Sequence, residues 1–116
     1  MYHPQIGGRK IPKNSHDRFL TRVRAFERSQ PWYPKTQLRL RFNGQFCYIE
    51  MIKGNETEPS PFLRLRYFDD ERWSMAFYTW SHERYEPCTF SKGGWEGTLE
   101  EAIATCEPFL DGSPLS

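Results

Sequence analysis

The sequence predicts an α+β fold: a five-stranded antiparallel β-meander with an N-terminal helix and a capped C-terminal helix. Three observations carry this expectation. Residues 38–90 hold short runs of aromatic and alternating apolar side chains, separated by turn signals, as strands require. Residues 19–26 and 99–106 instead space their apolar side chains at helical intervals. Of the 116 residues, 16% are aromatic, which lets a chain only 37% hydrophobic bury a sizeable core. The length is that of one domain. The expected organisation is a flexible basic arm at 1–14, a single globular domain at 15–110 and a tail at 111–116.

Each element has its own reason. The arm carries Pro4, Gly7, Gly8 and Pro12 with no apolar periodicity, so it is expected to be flexible and to lack an apolar anchor. Asn14 or Ser15 is placed to cap a helix over 16–29, with Phe19, Leu20, Val23 and Phe26 on one face. Pro31 and Pro34 end it. Leu38-Arg39-Leu40-Arg41-Phe42 alternates, Asn43-Gly44 follows, and a second alternating run covers 45–52. Asn-Gly between such runs predicts a two-residue type I′ loop with positive φ at both positions. That loop would set Phe42 opposite Gln45, Leu40 opposite Cys47 and Leu38 opposite Ile49. Leu38, Leu40, Phe42, Cys47, Ile49 and Met51 would then share the core face, and Arg39, Arg41, Phe46, Tyr48 and Glu50 the other.

A polar loop at 53–61 leads to a third strand at 62–68 and an acidic turn at 69–72. Residues 73–80 are apolar on both faces, which predicts a central strand covered on both sides. Ser81-His82-Glu83 turns the chain into a fifth strand at 84–90. Thr98 and Glu101 form a capping box for the last helix, whose apolar face is Leu99, Ala102, Ile103 and Cys106. Arg66-Tyr67, Trp73, Tyr78, Trp80 and Tyr85-Glu86-Pro87 follow an R-Y…W…Y-W…Y-E-P order. In this the chain resembles small uncharacterised bacterial domains with a helix, an aromatic β-meander and a terminal helix. The resemblance covers about half of the chain, implies the fold, and implies no activity.

No nucleophile elbow, P-loop, dinucleotide fingerprint or zincin motif is present, so the chain is expected not to be an enzyme. His3, His16 and His82 have no metal-ligand spacing, and neither a metal nor a cofactor is expected. His82-Glu83 beside Cys88 could form a Cys–His pair, but a solvated turn histidine and a packed cysteine are the simpler reading. Gly93-Gly94 is a poor phosphate cradle, because Glu100 and Glu101 put negative charge where an anion would sit. Cys47, Cys88 and Cys106 are odd in number and are read as small buried hydrophobes in a reducing, cytoplasmic compartment. The N-terminus has no apolar signal-peptide region and no run is long enough to span a membrane, so no membrane association is expected.

Charge is the most informative feature. Residues 1–41 carry ten Lys/Arg and two acids, a balance of +8; the remainder carries −7. Either the halves neutralise each other in the fold, or the basic part meets an anionic partner. Arg39, Arg41, Arg64 and Arg66, interleaved with Phe46 and Tyr48, would hold phosphates and stack bases if they share a face. Arg9, Lys10 and Lys13 of the arm would extend that site. The expectation is a binding module for RNA or single-stranded DNA. The alternative is a protein–protein adaptor, or a homodimer pairing acidic and basic surfaces.

Overall fold

The computed structural model describes residues 6–110. A 3-10 turn at Lys13–Ser15 runs straight into α1, His16–Arg28. Six strands follow: β1 (Thr36–Asn43), β2 (Phe46–Lys53), β3 (Ser60–Asp69), β4 (Arg72–Thr79), β5 (Arg84–Cys88) and β6 (Glu96–Gly97). The chain closes with α2, Leu99–Thr105, and a 3-10 turn at Glu107–Phe109. The strands form an antiparallel meander in the order β1-β2-β3-β4-β5. The fold class expected from the sequence is therefore the one observed. The expected tail at 111–116 lies outside the described residues.

The helices pack on one face of the sheet. Phe19 and Val23 of α1 are fully buried, and Phe19 meets Trp73 edge-on at 5.1 Å and Tyr67 at 5.9 Å. Leu20, expected on the same helical face, falls at its edge and is exposed. Leu99, Ala102 and Ile103 of α2 join the same core, and Phe109 stacks on Phe77 at 5.9 Å. The Thr98–Glu101 capping box forms as expected. At α1 no side-chain cap forms: the 3-10 turn leaves Ser15 already helical, whereas a capping residue needs extended backbone.

Four expectations are corrected. The first hairpin turns on Gly44-Gln45, not Asn43-Gly44: Asn43 pairs Phe46, Phe42 pairs Cys47 and Leu40 pairs Ile49. Gly44 alone has positive φ, +62°, the pattern of a II′ loop with glycine first, so no left-handed asparagine is needed. Each partner moves by two residues. With a side-chain period of two, that leaves both faces with their expected residues.

The fifth strand ends at Cys88, not Phe90, and β6, which the sequence reading did not include, pairs the start of β4 beside it. The expectation that β4 is covered on both sides fails as well. Ser74 and Ala76 are buried, but beneath their neighbours Phe46, Arg64, Arg66 and Pro87, not beneath a second layer. Two small residues between larger ones reproduce an apolar run without a covering helix.

The fourth correction concerns the arm. Arg9 N–H donates to Tyr67 O at 2.8 Å and Ile11 N–H to Gly44 O at 2.9 Å. Ile11 is 2% exposed and belongs to the core, so the segment does have an apolar anchor. Gly8, at φ +91°, crosses so close to Gln45, Arg66 and Tyr67 O that a Cβ would overlap them. From Gly7 to Ile11 the chain is a strap across the end of the sheet. No helix among the described residues is long and apolar enough to cross a membrane.

Candidate nucleic-acid interface

Register carries the second face of the sheet from strand to strand. Arg39 and Arg41 stand opposite Glu50 and Tyr48, and Phe46 and Tyr48 opposite Arg66 and Arg64. Arg64 and Arg66 stand opposite Ala76 and Ser74, and Ala76 and Tyr78 opposite Pro87 and Tyr85. The four arginines and two aromatics expected in the strands of the site therefore share the face turned away from α1 and α2. No described helix covers it.

Rings run across this face as a connected row. Phe46 and Tyr48 lie 6.1 Å apart, Tyr48 and Tyr85 5.8 Å, Tyr85 and Tyr78 5.2 Å, and Tyr78 and Trp80 4.9 Å. Trp80, at the end of the row, is 54% exposed. Tyr78, Trp80 and Tyr85 were missed as site residues. Pairing of the strands was the signal that could have found them, since alternation places every second residue of 74–78 with Arg64.

The guanidinium groups lie over these rings. Arg41 sits 4.3 Å from the centre of Tyr48, Arg64 4.9 Å from Phe46 and 5.4 Å from Tyr85, and Arg66 4.7 Å from Phe46. A stacked guanidinium keeps its N–H donors in its own plane, where a phosphate can still reach them. Arg39 and Arg64 have no carboxylate partner among the described residues. Arg41 lies 3.6 Å from Glu50, too long for a good hydrogen bond. Arg66 is different: its Nη1 donates to Gly7 O at 3.0 Å and to Gln45 Oε1 at 3.1 Å, which holds the N-terminal strap. Burial, then Glu50 and Tyr48, push the Tyr85 hydroxyl up to about 12, against the pull of Arg41 and Arg64. It stays protonated at neutral pH and can donate.

Several acidic residues of the second half meet α1 instead. Arg18 of α1 binds Asp70 at 2.6 Å, and Arg22 binds Glu71 at 2.6 Å and Glu100 at 2.8 Å. Burial works against ionisation of Asp70 and Glu100. Their hydrogen bonds outweigh it, from Tyr67 and Arg18 to Asp70 and from Arg22 to Glu100, and hold both carboxyls below their ordinary range. Neutralisation within the fold thus holds for Arg18, Arg22 and Arg24 of α1, whereas Arg39 and Arg64 of the sheet face take no part in it. Register brings three carboxylates to that face, Glu50, Asp69 and Glu96; Arg72 holds Glu96 at 2.8 Å and lies 3.5 Å from Asp69.

The basic residues of the N-terminal segment are not gathered there. Arg9 donates to Phe68 O at 2.9 Å and lies 5.5 Å from the centre of the Tyr67 ring, on the helix side. Lys13 is in the turn entering α1, and Lys10 is exposed between them. A separate cavity of about 1100 Å³ lies at the other end, between Trp32, Lys35, Lys53 and Glu107. His82 Nδ1 bonds Glu86 Oε1 at 2.8 Å, so the suggested pairing with Cys88 gives way to a carboxylate partner. No family model, curated protein or solved structure matches this chain.

Proposed function

We propose that the arginine–aromatic face binds single-stranded nucleic acid, RNA or DNA, as a module without catalytic activity. One observation carries this reading: on a helix-free sheet face, Arg39, Arg41 and Arg64 border a row of rings that ends in exposed Trp80. Open sheet faces with aromatics stack unpaired bases while cations hold the backbone. Stacking is worth about 1–3 kcal/mol per base and tolerates any base, so the expected preference is for strandedness over sequence. Arg66, tied to the strap, contributes more to the shape of the site than to phosphate contact. Three free thiols fit a reducing, cytoplasmic setting.

The alternative is a protein adaptor or a homodimer pairing acidic and basic surfaces. It has less support, because Asp70, Glu71, Glu96 and Glu100 already hold arginines of the same chain. Fluorescence anisotropy with labelled oligo-dT and oligo-U at two salt concentrations separates the two. The expected result is binding that falls with salt and weakens roughly tenfold or more, with a flatter salt slope, when Arg39, Arg41 and Arg64 become alanine. No binding at low salt, with self-association sensitive to the same arginines in sedimentation, would establish the adaptor instead.

A further inference from the structure

The cavity of about 1100 Å³ lies where the start of β1 and the end of β2 face the turn after α2. Hydrogen bonds fix its frame. Gly54 N–H donates to Lys35 O at 2.8 Å and joins the two strand ends. Buried Thr36 donates through Oγ1 to Leu110 O at 2.8 Å, and Lys53 Nζ donates to Phe109 O at 3.1 Å. Both bonds tie the strand ends to the chain that follows α2. The lining divides by chemistry: Lys35 and Lys53 stand on the strand side, and Pro31, Trp32, Ala104 and Pro108 supply apolar wall. We infer that this cavity binds a small monocarboxylate with an apolar or aromatic body, its carboxylate against Lys35 and Lys53 and its body along Trp32 and the two prolines.

Unmatched charge carries the inference. Lys53 is half-buried, and its ammonium has three donors. Its one acceptor among the described residues is a neutral carbonyl, that of Phe109. Neither Lys53 nor Lys35 has a carboxylate partner among the described residues. A positive charge partly withdrawn from water without a counter-charge is costly, and a second ammonium lining the same cavity adds repulsion. A carboxylate between the two relieves both. The rest of the lining limits the ligand to one negative charge. Glu107 lines the cavity as well, its Oε1 3.4 Å from Trp32 Nε1, and so does exposed Glu56. A dianion or a polyphosphate would be repelled by these carboxylates, whereas an apolar body is not. A cavity of this size takes a drug-sized molecule, with most of its surface against side chains and a few polar groups fixing its orientation.

This inference does not rest on the nucleic-acid reading, since register puts Thr36 and Lys53 on the helix side of the sheet with Leu38 and Met51. The test titrates the full chain with naphthoate and follows backbone amides and tryptophan indoles by NMR. Two analogues are titrated beside it: naphthalenemethanol, which lacks the charge, and naphthyl phosphate, which carries a second one at about pH 8. The expected result is saturable binding of naphthoate, with the largest shifts at the Trp32 indole, Gly54 and Thr105. Each analogue should bind roughly tenfold or more weakly. Lys53→Met keeps the stem and removes the charge; it should weaken naphthoate by a similar factor and leave the alcohol unchanged. Glu107→Gln should narrow the gap between the phosphate and naphthoate. No saturable binding of naphthoate, shifts centred elsewhere, or equal binding of either analogue by the unsubstituted chain would overturn the proposal.

Discussion

Gly44 has no atom within 4 Å of the place a Cβ would occupy, so the cost of a side chain there comes from the backbone alone. At φ +62° an L-residue is strained, by about 1–2 kcal/mol. Gly44→Val should lower the urea midpoint accordingly, while Asn43→Ala, whose φ is not positive, should change stability by less than about 0.5 kcal/mol. Equal losses for the two variants would mean that the loop is centred one residue earlier. Asn-Gly announced the hairpin, but a turn pattern cannot choose between loops that leave the same faces inward. Only side-chain packing separates them, and packing is not local. Ile11 was illegible for a related reason. A lone isoleucine beside Gly7, Gly8 and Pro12 has no periodicity, and its burial depends on Gly44 and Tyr67 lying next to it.

Between elements, α1 closes the open edge of the sheet. Leu38 N–H, on edge strand β1, donates to Glu27 Oε2 at 2.6 Å, and Leu38 O accepts from Arg24 Nη1 at 2.5 Å. Glu27 is 1% exposed and also binds Arg24 at 2.9 Å. The two side chains occupy the donor and acceptor that another strand would otherwise use. Glu27→Ala leaves the Leu38 N–H unmet in a buried place and should destabilise the chain by roughly 2–3 kcal/mol. Arg24→Ala should cost less, because Arg24 is about a third exposed and water can replace it. Urea denaturation of both variants checks this order; an unchanged midpoint for Glu27→Ala would show that the edge is held by something else. The helix itself was legible from Phe19, Val23 and Phe26. Glu27 was not: a glutamate four residues after Val23 reads as solvated until the strand beside it is known.

At the scale of the molecule, charge is divided between two faces, and each has its own consequence. On the helix side, Asp70 and Glu100 have carboxyl values below their ordinary range. The unfolded chain then binds protons more readily, so their contribution to stability is present above that range and is lost as pH falls through the folded values. Arg22→Ala should therefore flatten the loss of stability from about pH 5 to about pH 3, read as urea midpoints across that window. An unaltered acid limb would mean that other carboxyls control it. On the sheet side, Arg39, Arg41, Arg64 and Arg66 were legible as one face from alternation and a hairpin. The rest of the row, Tyr78, Trp80 and Tyr85, needed the pairing of β3, β4 and β5, which a run apolar on both faces concealed. An NMR titration of the full chain with unlabelled oligo-dT, following the backbone amides, the arginine Nε–H groups and the Trp80 indole, tests the central claim most directly. The account predicts that the largest shifts cluster at Arg39, Arg41, Tyr48, Arg64, Tyr78, Trp80 and Tyr85, with Arg18, Arg22 and Arg24 unmoved. Shifts centred on α1 or on the cavity at Trp32 and Glu107, or none at low salt, would contradict it.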